Sequence, residues 1–149
     1  MSTIGKDLNE DVYIGVALPL NHGNGGFFQR TKTSLEQAKY NIKNLLLTQK
    51  SERLGNPTFG SDLYKVLFEQ EGDDIESKVE EAIRSAMSEW LPFINIEGIE
   101  TSFSPTNKSV VNVSIRFTMN FDTTTVGQLS LDFSNYGDDG SSSANFTSI

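Results

Sequence analysis

The sequence predicts an α+β fold: three helices packed on one face of a small three-stranded antiparallel sheet, with an extended N-terminal arm and a polar C-terminal tail. Three features point there. Apolar residues recur at helical spacing between residues 34 and 90. Over residues 111–121 the period drops to two, and beyond Phe133 the chain turns to Ser, Gly and Asp. With 149 residues there is enough chain for one core and too little for two ordinary domains. The expected divisions are an arm over residues 1–30, a folded domain over 31–133 and a flexible tail over 134–149.

Residues 1–11 are polar and irregular. Residues 12–20 are apolar and partly β-branched, but Gly15 and Pro19 favour an extended edge segment or arm. Residues 22–26 read as a glycine-rich loop. It is no phosphate cradle, because neither Gly-Lys-Ser/Thr nor GxGxxG follows. His22 is the only histidine and there is no cysteine, so no metal site is expected on it.

The first helix is expected over residues 34–48. Thr33 with Glu36, and Ser34 with Gln37, both have capping-box spacing. Leu35, Ala38, Ile42, Leu45 and Leu46 form its apolar stripe, and Lys32, Lys39, Lys43 and Lys50 fall on a neighbouring strip expected to be a solvated flank. Ser61 or Asp62 can cap a short second helix with Leu63, Val66 and Leu67 inward. Gly72, Asp73 and Asp74 punctuate and cap a third, over residues 75–90, whose Ile75, Val79, Ala82, Ile83, Ala86 and Trp90 trace one apolar face. Pro92 ends it. Then Val111, Val113, Ile115, Phe117, Met119 and Phe121 alternate with polar residues, the pattern of a strand with one buried face. Residues 94–103 and 126–133 read as its two neighbours, with short turns at 104–107 and at Asp122-Thr123-Thr124.

Composition narrows the function. The chain has 12 Lys and Arg against 20 Asp and Glu, a net charge of -8, which argues against nucleic acid as the main partner. Arg30, Lys32, Lys39, Lys43 and Lys50 make one early stretch basic, while no Lys or Arg follows Arg116. Such asymmetry steers partners of opposite sign or simply aids solubility. The absence of cysteine rules out a disulfide framework and fits assembly in a reducing cytoplasm. No apolar run approaches the ~20 residues of a membrane span, and the first residues lack a signal peptide's apolar segment. Mean hydropathy is -0.34, in keeping with a modest core and polar ends.

Residues 45–68, LLLTQKSERLGNPTFGSDLYKVLF, carry more chemistry than a helix–helix connection requires. Pro57 fixes its own φ and biases Asn56 towards an extended conformation. Gly60 permits a backbone angle that a side chain would hinder. Held in this way, Glu52 can accept from backbone N–H groups at a helix start, and Arg53 can present its five donors to a partner's carboxylates or carbonyls. The plainer alternative is that both residues only staple the loop internally.

The same stretch resembles the GPW-type, lysozyme-like family of small baseplate wedge proteins of contractile phage tails and related injection systems. The likeness rests on Leu46, Leu47 and Thr48, then Glu52, Arg53, Pro57, Phe59 and Gly60, closed by Leu67-Phe68-Glu69, and extends from about Ile14 to Phe133. The family often has glycine where this chain has Ser51. The resemblance implies a baseplate wedge and sheath-initiator domain over residues 31–133. Its Glu-Pro-Arg cluster would dock on a helical bundle of the large wedge proteins, with Glu52, Arg53, Pro57, Phe59 and Gly60 as the interaction residues. Its sheet would template tail-sheath subunits by strand exchange, and tail tube or hub proteins are further partners. It implies a place in the virion's contractile-tail baseplate after assembly in the host bacterial cytoplasm, with no cofactor and no catalytic residue.

The rival class is a peptidoglycan-cleaving glycosidase of the baseplate, as the lysozyme-like label suggests. Such an enzyme needs two carboxyls about 5–5.5 Å or about 6.5–9.5 Å apart across a sugar cleft. Glu52 with Asp62 or Glu69 is the available pair. Arg53 beside Glu52 would lower that carboxyl's pKa, the opposite of what a general acid needs, so no enzymatic activity is expected.

Overall fold

The computed structural model describes residues 11–18, 20, 22–23, 28–69, 74–103 and 110–134. The first ten residues, much of the glycine-rich loop, Gly72-Asp73, the turn at 104–107 and the tail beyond Ser134 lie outside the described residues.

Two short strands, β1 (Gly15–Val16) and β2 (Arg30–Thr31), pair antiparallel. They lie along the first helix, α1 (Ser34–Leu47), with Ala17 and Thr31 buried. Thr31 Oγ1 donates to Gln37 Oε1 at 2.7 Å, and Gln37 Nε2 donates to Asn41 Oδ1 at 2.9 Å, so β2 is tied to α1 by side chains. This docking corrects one expectation. Lys43 is not on a solvated flank: it is 7% exposed, its Nζ lies 3.5 Å from the Leu18 carbonyl, and desolvation lowers its pKa.

α1 begins at the expected cap. The Thr33 side chain accepts from the Glu36 N–H at 3.2 Å, while the Glu36 carboxylate reaches one residue beyond a capping box, to the Lys32 N–H at 3.2 Å. Ala38, Ile42, Leu45 and Leu46 are buried, with Leu35 packed at the core's margin. α2 (Leu63–Glu69) buries Leu63 and Leu67. α3 (Ile75–Trp90) buries Val79, Ile83, Ala86 and also Met87, which the apolar pattern had not singled out, while Ala82 and Trp90 are half-buried. Asp74 stands at its N-cap without a side-chain cap bond.

β3 (Ile94–Phe103), β4 (Val110–Met119) and β5 (Asp122–Ser134) form an antiparallel meander in the order β3-β4-β5. Val111, Val113, Ile115, Phe117 and Met119 of β4 join Leu129, Leu131 and Phe133 of β5 in one core with the helices. The other face is a polar ladder: Asn112 donates to Ser130 at 2.8 Å, Gln128 to Ser114 at 3.4 Å, and Arg116 pairs with Glu100 at 3.0 Å. The fold is therefore the α+β arrangement expected, with the small β1–β2 ribbon added.

The β4–β5 turn is a correction. Met119 faces Asp122 across Asn120-Phe121, so β5 begins at Asp122 rather than at Val126. Asp122-Thr123-Thr124 is thus not the turn but the start of a strand whose register slips between Phe117 and Met119. The slip is accommodated by Asp122 Oδ1, which accepts from the Thr124 N–H, the Thr125 N–H and the Thr124 hydroxyl. Hydrogen bonds from the Thr125 and Thr124 side chains, more than those from their backbones, hold the Asp122 pKa down to about 2. Thr118, on the polar side of the alternation, is buried and donates to Glu97 at 3.0 Å.

Gly127 sits opposite Phe117, and a Cβ there would lie 2.6 Å from Phe117 Cζ and 2.8 Å from Leu35 Cδ1. This is where α1 meets the sheet with no side chain between. Gly127→Val is expected to overpack the site and cost ~1–3 kcal/mol, read as a lower denaturant midpoint at unchanged slope. An unaltered midpoint would mean that Phe117 and Leu35 move aside freely.

The depressed Asp122 pKa has a pH signature. Its stabilisation is fully present above the ordinary value of 3.8 and is lost as pH falls towards about 2. Melting temperature measured from about pH 5 to about pH 2 is expected to fall further for wild type than for Asp122→Asn. Parallel curves would show that the carboxylate does not hold the bulge.

Candidate docking loop

Between α1 and α2 the chain makes a turn fixed by its own backbone and by three side chains that bond to it. Thr48 Oγ1 donates back to the Asn44 carbonyl at 2.6 Å, and Glu52 Oε2 accepts from the Gln49 N–H at 2.9 Å. The Ser51 N–H donates to the Pro57 carbonyl at 2.7 Å, Asn56 N–H to Arg53 O at 3.3 Å, and Phe59 N–H to Asn56 O at 3.2 Å. Glu52 therefore serves the turn after α1 rather than a helix start. Ser61, 2% exposed, closes the loop: its N–H donates to Thr48 O at 2.9 Å, and its hydroxyl donates to Leu46 O at 2.9 Å while accepting from the Leu63 N–H at 3.4 Å. Asp62 does not share the capping; its carboxylate pairs with Lys50 at 2.7 Å.

Two backbone angles make the turn possible. Gly60 has φ +122°, and a Cβ on it would lie 2.5 Å from the Thr48 carbonyl oxygen. Ser51 has φ 74°, a left-handed conformation that glycine adopts without cost, which accounts physically for the glycine the resembled family often has there.

Arg53 is held, but not by its neighbour. Its Nη2 donates to Asn44 Oδ1 at 3.1 Å, and its guanidinium carbon stands 4.1 Å from the centre of the Phe59 ring. Phe59 in turn packs edge-on against Trp90, ring centres 5.2 Å apart at 65°. Among the described residues no ion pair joins Glu52 to Arg53, and none engages Arg53 with any carboxylate. Pro57 and Leu54 are exposed at the loop's outer side, Leu54 completely.

The loop thus brings Glu52, Arg53, Pro57, Phe59 and Gly60 into one short turn. Asn44, Ser61 and Trp90 also belong to it, and the sequence offered little sign of them. Asn44 lies one turn before α1 ends, and Trp90 lies at the far end of α3. As for a sugar-cleaving pair, Glu52 is bonded to Gln49, Asp62 is paired with Lys50, and the Glu69 side chain lies outside the described residues. Among the described residues no three metal-ligating side chains converge.

Over residues 33–124, more than half of its length, the sequence matches the family of baseplate wedge protein gp25, and the chain belongs to that family. It is a structural component of a baseplate. The fold is similar to the crystal structure of a candidate tail lysozyme from Geobacter sulfurreducens, with a TM-score of 0.63 and 19% identity over 73% of this chain and 97% of that one. It is also similar to a chain in the six-fold symmetrised cryo-EM structure of the anti-feeding prophage baseplate, with a TM-score of 0.61 and 15% identity over 70% of this chain and 83% of that one. At such identities the likeness is one of fold. No curated protein sequence matches.

Backbone strain at the turn gives two opposite outcomes. Ser51→Gly is expected to raise stability by about 0.5–1 kcal/mol, the relief of the left-handed angle being partly offset by glycine's freedom in the unfolded chain. Gly60→Ala is expected to cost about 1–3 kcal/mol, because angle and space both oppose a Cβ. Thermal melts of the two variants check this. A destabilised Ser51→Gly would show that the serine side chain holds the turn.

Proposed function

We propose that this protein docks onto the helical bundle of the large baseplate wedge proteins through residues 49–60 and templates tail-sheath polymerisation at an edge of its β-sheet. The observation that carries the reading is the state of Arg53: a guanidinium fixed in direction by Asn44 and Phe59 yet paired with no carboxylate of its own acidic chain among the described residues. An exposed, preoriented cation of this kind suits a partner's carboxylate. Family membership supports the setting, and the similar fold within the anti-feeding prophage baseplate supports assembly with other baseplate proteins. We place the working domain at residues 31–133, within a contractile tail assembled in the bacterial cytoplasm.

Sheath recruitment calls for main-chain hydrogen bonding at a free strand. β4 is paired on both sides, so an incoming strand must use β3 or β5. β3 carries a register shift between Ile96 and Gly98, a device that blunts edges. β5 pairs in continuous register with β4 from Gly127 to Ser134, and its Gln128, Ser130 and Asp132 face the polar side. We therefore favour β5 as the receiving edge.

The test is made on assembled particles. Arg53→Ala is expected to cost the free domain only about 1 kcal/mol, the scale of an exposed cation–π contact, yet to leave baseplates without this chain. A proline at one of positions 128–132, where the N–H points outward, is expected to leave folding and incorporation intact but prevent sheath growth seen by electron microscopy. An Arg53→Ala domain that melts far below wild type would make the loop an internal staple. Full-length sheaths on proline-bearing baseplates would sink templating at β5.

A further inference from the structure

Leu54 is the most exposed large apolar side chain among the described residues, at 101% of its reference area. A lone exposed leucine is ordinary on a protein surface, but this one stands on a turn that is not loose. The Arg53 carbonyl just before it accepts from Asn56, and the Ser51–Pro57 bond closes the turn around it. The guanidinium of its neighbour Arg53 stands over the Phe59 ring, which rests edge-on against Trp90, the last residue of α3. Arg53 is exposed, and of its five N–H donors the Asn44 bond engages one nitrogen, with no carboxylate paired to it among the described residues. A cation and a leucine are thus held side by side in water by a frame reaching back to the core.

We propose that Arg53 and Leu54 form a two-pronged contact, with Leu54 the apolar anchor. The partner surface that fits offers an apolar socket bordered by a carboxylate. Phe59 and Trp90 are positioning residues that set the direction of the guanidinium. The proposal rests on the loop being the docking surface and adds to that reading the anchor residue and the partner's chemistry. An apolar anchor in a socket beside a fully desolvated charge pair is the arrangement in which few residues carry most of an interface. The same loop without Leu54 keeps its charge recognition and loses its water-excluding contact.

The experiment uses the full chain in assembling particles, with purified baseplates as the probe. Leu54→Ser is expected to leave the melting temperature unchanged, since the side chain buries nothing, and to lower incorporation roughly tenfold to hundredfold; Leu54→Met is expected to restore it. Wild-type incorporation of Leu54→Ser overturns the anchor. If Arg53→Ala then fails to assemble, only the anchor is lost; if Arg53→Ala also incorporates normally, the docking reading fails and this proposal with it. Positioning has its own readout in the free chain. NMR is expected to show Arg53 side-chain protons shifted upfield by the Phe59 ring, an effect abolished in Phe59→Leu, weakened in Trp90→Leu and kept in Trp90→Phe. Arg53 resonances unchanged in Phe59→Leu overturn the positioning role.

Discussion

The end of α1 is the constraint on which the rest depends. A helix leaves its last carbonyls without intrahelical donors, and buried carbonyls must find others. Here the Asn44 carbonyl is taken by the Thr48 hydroxyl, the Leu46 carbonyl by the Ser61 hydroxyl and the Thr48 carbonyl by the Ser61 N–H. Two of those three donors belong to one serine beyond the loop, so satisfying α1 obliges the chain to return to it. That return fixes the distance between α1 and α2 and confines residues 49–60 to a closed turn. It works only because residue 60 has no side chain to meet Thr48. The shape of the candidate docking loop follows from the hydrogen-bond requirements of a helix end.

The sheet is organised by a comparable demand. Val111, Val113, Ile115, Phe117 and Met119 of β4 are buried in the core with the helices, so the opposite face must be held by cross-strand polar pairs, and Asn112, Ser114 and Arg116 each find one. Against that regular ladder the irregularities are local. One lies at Gly98, where Arg116 crosses β3, and one at Asp122, where three donors converge on a single carboxylate oxygen. Asn120 secures the turn from the other side, its N–H donating to Phe93 O at 2.9 Å and its amide to Pro92 O at 3.2 Å. The end of α3 and the β4–β5 turn are therefore stitched together, leaving the run from Gly127 onward as the regular part of an outer strand.

What was legible in the sequence is what local pattern dictates. The period-two run of β4, the stripe of α3 and the Thr33 cap all express preferences satisfied within a few residues. What was not legible depends on partners far along the chain. Lys43 looked like a flank lysine because nothing in α1 says that Leu18, 25 residues earlier, folds back over it. Asp122-Thr123-Thr124 has the composition of a turn, and the same short polar side chains that favour turns also brace a bulged strand. In the loop, Glu52, Arg53, Pro57, Phe59 and Gly60 stood out by type and by family likeness. Their supports Asn44, Ser61 and Trp90 did not, since a helical asparagine, a capping serine and a half-buried tryptophan are each ordinary alone. Ser51 is the opposite case: the resembled family's glycine marked a left-handed angle, and the angle is there despite the serine.

The proposed docking loop and the sheet whose far strand is the proposed receiving edge share a physical link. Arg53 rests on Phe59, Phe59 on Trp90, and Trp90 ends α3 one residue before Leu91, whose carbonyl accepts from the Ile94 N–H at the start of β3. A chain of contacts is not by itself a switch, because coupling needs an element with two discrete arrangements that both sites bias. Every link here is a packed ring or a closed hydrogen bond, and the loop and the β4–β5 turn are each fastened by hydrogen bonds of their own. Wedge docking and strand addition should then behave as independent events whose free energies add, as distant sites without a shared mobile element do. On this reading, order of assembly would come from geometry: docking fixes where the sheet edge stands, and the edge needs no change of shape to receive a strand.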